Sequence, residues 1–285
     1  MLLVPLSERQ LAAFADKHAT QIPYDTSPRH LAGPGDARHV THGLAAAGWN
    51  TVSDPLSAEI VLVSPDLRYR LQFDPQSRTS AWWRLRAEPA GRKLGWYAEF
   101  GEHVPAEVLA GLTDALVAQA PVGSTSPLGE LDAAGWLIDG RGIAYSDHPS
   151  CKVERLPEQG AGTVPWREQV PVAWHIEARD LPTDIGSRGT HLWHAAFHRY
   201  TPERLVTAFV TALTDPAPLQ RGLFDRTATY GVTQKPSPLT PQQTVDAHTT
   251  RVKALRAQAR SARRQQKNHV TAPAHASTAQ PAARR

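Results

Sequence analysis

The chain has 285 residues, 41% of them hydrophobic and 20% charged, enough to bury one large core or two small ones, so a wholly disordered protein is excluded. No apolar run approaches the roughly 20 residues that span a bilayer and Met1–Gln10 carries no basic leader, so a soluble, cytoplasmic chain with no membrane partner is expected. The single cysteine, Cys151, rules out an intramolecular disulfide and a cysteine-based metal cluster, and the net charge of +4 divides into +9 from Lys235 onward and −5 over residues 1–234.

The chain contains an internal repeat. LAAAGW ending at Trp49 recurs as LDAAGW ending at Trp136, AWWRLRA around Trp83 as AWHIEAR around Trp174, and GWYAEF as LWHAAF. VPAEVLAGLTDAL (104–116) recurs as TPERLVTAFVTAL (201–213). The late matches share an offset of 97 and the Trp49–Trp136 pair an offset of 87, so the second copy carries about ten extra residues, placed in loops.

In chain order, a helix is expected to start at Asp36, as N-cap after Gly33-Pro34-Gly35, and to end near Gly48. Ser64-Pro65-Asp66 marks a hairpin turn between IVLV and RYRLQF. Tyr69, Leu71 and Phe73, then Trp83 and Leu85, then Trp96, Ala98 and Phe100 alternate with period two, which predicts strands with one face in the core. Pro105 and Pro202 open two closing helices at the first helical position, whose stripes match in phase: Val108, Leu109, Leu112 and Leu116 against Leu205, Val206, Phe209 and Leu213. Thr240-Pro241-Gln242-Gln243 is a capping box that starts a helix over about 241–267, and the Ala, Pro and Thr-rich end after His269 reads as disordered. The fold expected is α+β: two tandem helix–antiparallel sheet–helix repeats plus a basic C-terminal helix. The expected division is residues 1–27 as an N-terminal helical segment, 28–119 and 120–222 as the repeats, and 223–285 as linker, basic helix and tail.

The ordered motifs PRHLAGPGDARHVTHGLAAAGW, SPDLRYRLQF, AWWRLRA and GWYAEFGEHVPAEVLAGLTDAL resemble the bacterial SPDY domain, a domain of unknown function often present twice. Ser64, Pro65, Asp66 and Leu67 stand for the Ser-Pro-Asp-Tyr-like motif, with Leu in place of the tyrosine, while the second copy has Tyr145-Ser146-Asp147 without the proline. The resemblance covers roughly residues 28–222 and implies no activity.

No nucleophile elbow, phosphate-binding loop or dinucleotide fingerprint is present, and Cys151 reads as a small packed residue. The glycines before Asp36 read as a plain turn, because a carboxylate there repels phosphate. His191, His194 and His198 lie on a strand with mixed parity and read as solvent-facing, and His39 and His42 lack a third ligand, so neither a metal nor a cofactor is expected. What remains is charge. The outward parity of the first copy carries Arg68, Arg70, Arg84, Arg86 and Tyr97, whereas its equivalents Lys152, His175, Glu177 and His194 do not repeat that charge. A solvated face balanced by Asp74 and Glu99 is the competing reading. The last helix has a narrow seam of Val245, Val252, Leu255, Ala259 and Ala262 beside a basic face of Lys253, Arg256, Arg260, Arg263, Arg264 and Lys267; a solvated tail is the alternative there. The function expected is non-enzymatic binding or regulation of an anionic partner, nucleic acid first and an acidic protein second; an enzyme with a dispersed site between the repeats is the alternative.

Overall fold

A computed structural model describes residues 6–54, 56–118, 125–157, 171–181 and 189–271, with side chains to Arg264. The first copy is preceded by α1 (Glu8–Ala19) and β1 (Pro23–Ser27) and contains α2 (Arg38–Ala46), β2 (Asn50–Thr51), β3 (Ile60–Val63), β4 (Tyr69–Phe73), β5 (Ala81–Ala87), β6 (Trp96–Gly101) and α3 (Ala106–Ala118). The second runs through α4 (Pro127–Ala133), β7 (Leu137–Ile138), β8 (Ile143–Tyr145), β9 (Cys151–Arg155), β10 (Val172–Asp180), β11 (Thr190–His198) and α5 (Glu203–Thr214). β12 (Leu219–Gly222), β13 (Thr233–Pro236) and α6 (Pro241–Thr271) follow. The chain is α+β, as its alternating periods imply.

Each copy folds its five strands into an antiparallel meander, and the two meanders join through β6 and β11 into one ten-stranded sheet, ordered β2-β3-β4-β5-β6-β11-β10-β9-β8-β7. At the join Ala98 faces Phe197, Glu99 faces Ala196 and Phe100 faces Ala195. Under the offset of 97, the equivalent of Glu99 is its own cross-strand partner Ala196, so a pseudo-twofold axis passes through that pair. The two meanders agree in detail. Trp83 faces Phe100 as Trp174 faces Phe197, Ala87 faces Trp96 as Ala178 faces Trp193, and each copy has a bulge just before its first paired tryptophan.

The inward parity is the one that the sequence predicts. Trp83, Trp96, Trp174 and Trp193 are 3%, 5%, 6% and 1% exposed, and they share a single core with residues from α2 to α5 of both copies. Truncating any one of them to Ala is expected to cost about 3–5 kcal/mol. The closing helices bury their matched stripes, and Gly111 lets α3 and α5 approach closely, since a Cβ there would lie 2.6 Å from Ala212 Cβ. Both opening helices end in the same cap: Trp49 N–H donates to Leu44 O and Trp136 N–H to Leu131 O, each at 3.0 Å, with Gly48 at φ +87° and Gly135 at φ +80°.

The hairpin turn rests on its serine. Ser64 Oγ accepts Tyr69 N–H at 2.8 Å and donates to Asp66 Oδ1 at 2.5 Å; in the second copy Ser146 Oγ accepts Cys151 N–H at 3.1 Å. Ser146 therefore matches Ser64 and Cys151 matches Tyr69, so Asp147 stands where Pro65 does and is not the counterpart of Asp66. Three helix starts are also adjusted by one or two residues. α2 begins at Arg38, although Asp36 does accept Arg38 N–H, and Pro105 and Pro202 immediately precede α3 and α5.

The last helix requires a larger correction. Its capping box is present, with Thr240 and Gln243 exchanging hydrogen bonds, but α6 continues to Thr271 and is part of the fold rather than a separable tail. Val252 packs on Leu6 and Ala46, Ala259 enters the main core, and Arg251 binds Asp114 at 2.7 and 2.6 Å and His39 O at 2.8 Å. Removing residues 240–285 therefore uncovers α1 and α2. β1, β12 and β13 add a three-stranded sheet, tied to α3 by Arg221, which binds Glu107 at 2.7 and 2.9 Å. The end expected to be disordered, after His269, lies outside the described residues except for the last turn of α6.

Candidate anion-binding surface

The helices cover one face of the large sheet; the arginines lie on the other. In register, Arg70 on β4 is directly opposite Arg86 on β5, Arg86 is opposite Tyr97 on β6, and Arg84 lies between Gln72 and Glu99. Arg70 and Arg86 are exposed, and Arg68 and Arg84 half-buried. Arg84 donates to Thr79 Oγ1 at 2.5 Å and Ser77 Oγ at 3.4 Å, and the Arg68 guanidinium lies 5.2 Å from the Tyr69 ring centre. None of the four forms an ion pair among the described residues. Asp74 is half-buried and accepts the Gln76 N–H through Oδ1, and Glu99, the other acid of the competing reading, is 1% exposed and so not solvated. Tyr97 is half-buried, its ring 5.1 Å from that of His198, and forms an aromatic flank to the arginines rather than a free stacking platform.

The second copy places Lys152, His175, Glu177 and His194 at the equivalent positions, as expected, and neutralises them locally. Lys152 lies 3.3 Å from Glu154 and 3.6 Å from Glu177, Arg179 lies 2.6 Å from Glu177, and His175 lies 3.0 Å from Glu154. His194 is fully buried and His175 is 5% exposed, which corrects the solvent-facing reading for the centre of this face; His191 is exposed and His198 half-buried. Outward parity signals solvent only where nothing lies over the sheet.

The α6 cations form a separate group on the helix side. Arg256 and Arg263 spend donors on Leu6 O (3.4 Å) and Ala47 O (2.9 Å), while Lys253, Arg260 and Arg264 are exposed. The Lys267 side chain lies outside the described residues. The two groups of basic residues therefore do not converge among the described residues, of which only Arg263 reaches the cleft of about 110 Å³ that the Ser64–Asp66 turn shares with Trp49 and Tyr69.

Sequence reading missed the long-range polar pairs, which leave no local spacing. His248 of α6 is the partner of His42, at 3.2 Å, and stacks on Phe14 at 3.9 Å. Among the described residues, no group of three His, Cys, Asp or Glu side chains is arranged to hold a metal ion. Burial pushes the Cys151 thiol well above its ordinary range, leaving it protonated and unreactive. Asp36 is buried, yet the neighbouring His18, hydrogen bonds from Arg38 and the nearby Lys17 hold it well below the usual carboxylate range, so the carboxylate beside the glycine turn is already matched by cations. No described helix is long and apolar enough to cross a membrane.

The family described as SPDY, domain of unknown function (DUF317), matches residues 63–122 and 146–219, segments that begin beside the two turn serines and run through both closing helices. These two segments are SPDY domains in tandem. The opening helices α2 and α4 lie outside them. No curated protein and no solved structure matches the chain. The family description supplies no activity for an SPDY domain, so functional argument rests on the surfaces themselves.

Proposed function

We propose that this SPDY protein is a non-enzymatic binding protein whose first copy holds the phosphates of a nucleic acid on the outer arginine face. The observation that carries the reading is the direct opposition of Arg70 and Arg86 with no carboxylate paired to either among the described residues. Like charges in cross-strand register destabilise a sheet, and an anion laid across them reverses the sign of that term. Guanidinium forks donate paired N–H bonds to phosphate oxygens, and Arg84, steadied by Thr79, extends the patch about two residues along β5. The neutralised second copy then supports the first through the shared sheet. Exposed Lys253, Arg260 and Arg264 add a long-range attractive field from the helix side.

The test compares wild type, Arg68→Gln/Arg70→Gln/Arg84→Gln/Arg86→Gln and Lys253→Gln/Arg260→Gln/Arg264→Gln in fluorescence anisotropy with short single- and double-stranded DNA and RNA at low salt. The sheet variant is expected to bind at least about tenfold more weakly, and the helix variant to lose less. Absence of binding by wild type at low salt, where screening is weakest, overturns the proposal. Binding by the sheet variant equal to wild type does so too. If a pulldown retains an acidic protein after nuclease treatment while these probes fail, the partner is that protein instead.

A further inference from the structure

The pseudo-twofold axis makes a comparison within one chain possible. α2 and α3 of the first copy form a seat that α6 fills; α4 and α5 form the equivalent seat of the second copy. In the filled seat, Arg251 lies beside Gly43, with its guanidinium on Asp114, Leu255 presses on Gly43, and Arg263 crosses Gly48 to reach Ala47 O at 2.9 Å. Ala46 and Ala47 are buried beneath this helix.

The offsets of 87 and 97 map Gly43, Ala46, Ala47 and Gly48 onto Glu130, Ala133, Ala134 and Gly135, and Asp114 onto Thr211. Each counterpart is open where its mate is covered. Ala133, Ala134 and Thr211 are exposed, and a Cβ built on Gly135 meets nothing within 4 Å, whereas one on Gly48 would strike the Arg263 guanidinium. Glu130, Ala133, Ala134 and Thr211 line a groove of about 1010 Å³ between the helices of the two copies, and Ala134 and Gly135 continue into a cleft of about 400 Å³ beside Trp136.

We propose that the α4–α5 groove docks a basic helix with a small-residue face, supplied by a partner protein. The occupant follows from chemistry on both sides of the axis. Its filled mate already holds a helix of this kind, with Val252, Leu255 and Ala259 inward and arginines along its flank. Small side chains on both surfaces let the backbones approach closely, as Gly43 does under Leu255. The charge is also complementary. Glu130 in the groove and Asp147 in the adjoining cleft form no ion pair among the described residues, and Glu130 occupies the place of Gly43, against which the Arg251 guanidinium lies. An arginine entering as Arg251 does would meet that carboxylate directly. The terminal carbonyls of α4 favour a cation, as Ala47 O does for Arg263. Two arginines also line the groove, but both are already matched: Arg29 by Asp215 at 2.7 Å and Arg251 by Asp114. With its arginines matched and Glu130 and Asp147 unmatched, this surface repels a nucleic acid and is distinct from the arginine face.

The test titrates the intact chain, free of nucleic acid, with a labelled peptide of residues 240–264. One-to-one binding is expected, weakened at least tenfold by Glu130→Gln and by Ala134→Arg, and unchanged by Leu6→Ala, which loosens only the α6 seat at Val252. Both groove substitutions lie on the surface, so circular dichroism should show the variants folded. Four results overturn the proposal: no binding at low salt; equal binding of a scrambled peptide, which means charge attraction alone; sensitivity to Leu6→Ala instead, which means exchange into the α6 seat; or concentration-dependent self-association of the intact chain that Glu130→Gln abolishes, which assigns the groove to a second copy.

Discussion

Replacing Arg221 with Met should strand a buried carboxylate. The Arg221 side chain is 1% exposed and Glu107 17%, and the pair fastens the three-stranded sheet to α3. Burial alone raises the Glu107 pKa; the charges of Arg221 and His39 and the hydrogen bonds from Arg221 reverse this and bring it from 4.5 to about 2. A folded value below the unfolded one means that Glu107 stabilises the protein above about pH 4.5 and that the contribution is lost as pH falls toward 2, a difference worth about 3 kcal/mol. Without Arg221 the carboxylate is left largely uncompensated, so the variant should lose about 3–5 kcal/mol at pH 7. The loss should shrink toward pH 4.5, where Glu107 can take a proton, and Arg221→Met/Glu107→Gln should recover a large part of it. Urea unfolding followed by tryptophan fluorescence at both pH values measures this. A loss under about 1 kcal/mol, one that does not change with pH, or one equal in the double variant refutes the reasoning.

Three further outcomes are expected. Burial pushes His30 and His42 down to about 4 and His248 to about 3, so the unfolded chain takes these protons first, and stability should fall from about pH 6.5 downward. His248→Phe should flatten that fall by up to about 1.4 kcal/mol per pH unit, with Asp36, Arg38, His39 and Arg251 still around the site; an unchanged slope counts against it. Gly48→Ala should lower the melting temperature more than Gly135→Ala, because both incur about 1–2 kcal/mol of left-handed strain but only the first displaces Arg263; equal shifts would contradict the seat. Cys151 should react with iodoacetamide only on global unfolding, and labelling of the native protein would disprove its burial.

Much of each copy was legible because its signals are local. Period-two alternation through Leu71, Trp83, Leu85 and Phe100 identified the inner face, and the matched stripes of α3 and α5 fixed which helix faces are buried. The union of the copies was not. Trp96, Ala98 and Phe100 have the same pattern as Trp193, Ala195 and Phe197, and a strand that pairs with its own repeat leaves no mark that a separate sheet would lack. The burial of His194 was hidden for a related reason, since alternation reports two faces and not what lies over them. α6 read as a tail because its seam is narrow, yet Gly43 and Ala47 allow a shallow helix to dock, and Arg251 meets Asp114 across 137 residues of chain. Of the candidate site, the register of Arg70, Arg84 and Arg86 was legible from parity, but the separation of those residues from the α6 cations depends on topology alone.

The salt dependence of nucleic-acid binding tests the central claim most directly. Each phosphate contact contributes about 0.9 to the log–log slope for duplex DNA and about 0.7 for single strands. If Arg68, Arg70, Arg84 and Arg86 each meet a phosphate, wild type and the four-fold Gln variant should differ by up to about 3.6 on a duplex or about 2.8 on a single strand, with both proteins folded. Identical slopes, whatever the affinity, would contradict the arginine face as the binding surface.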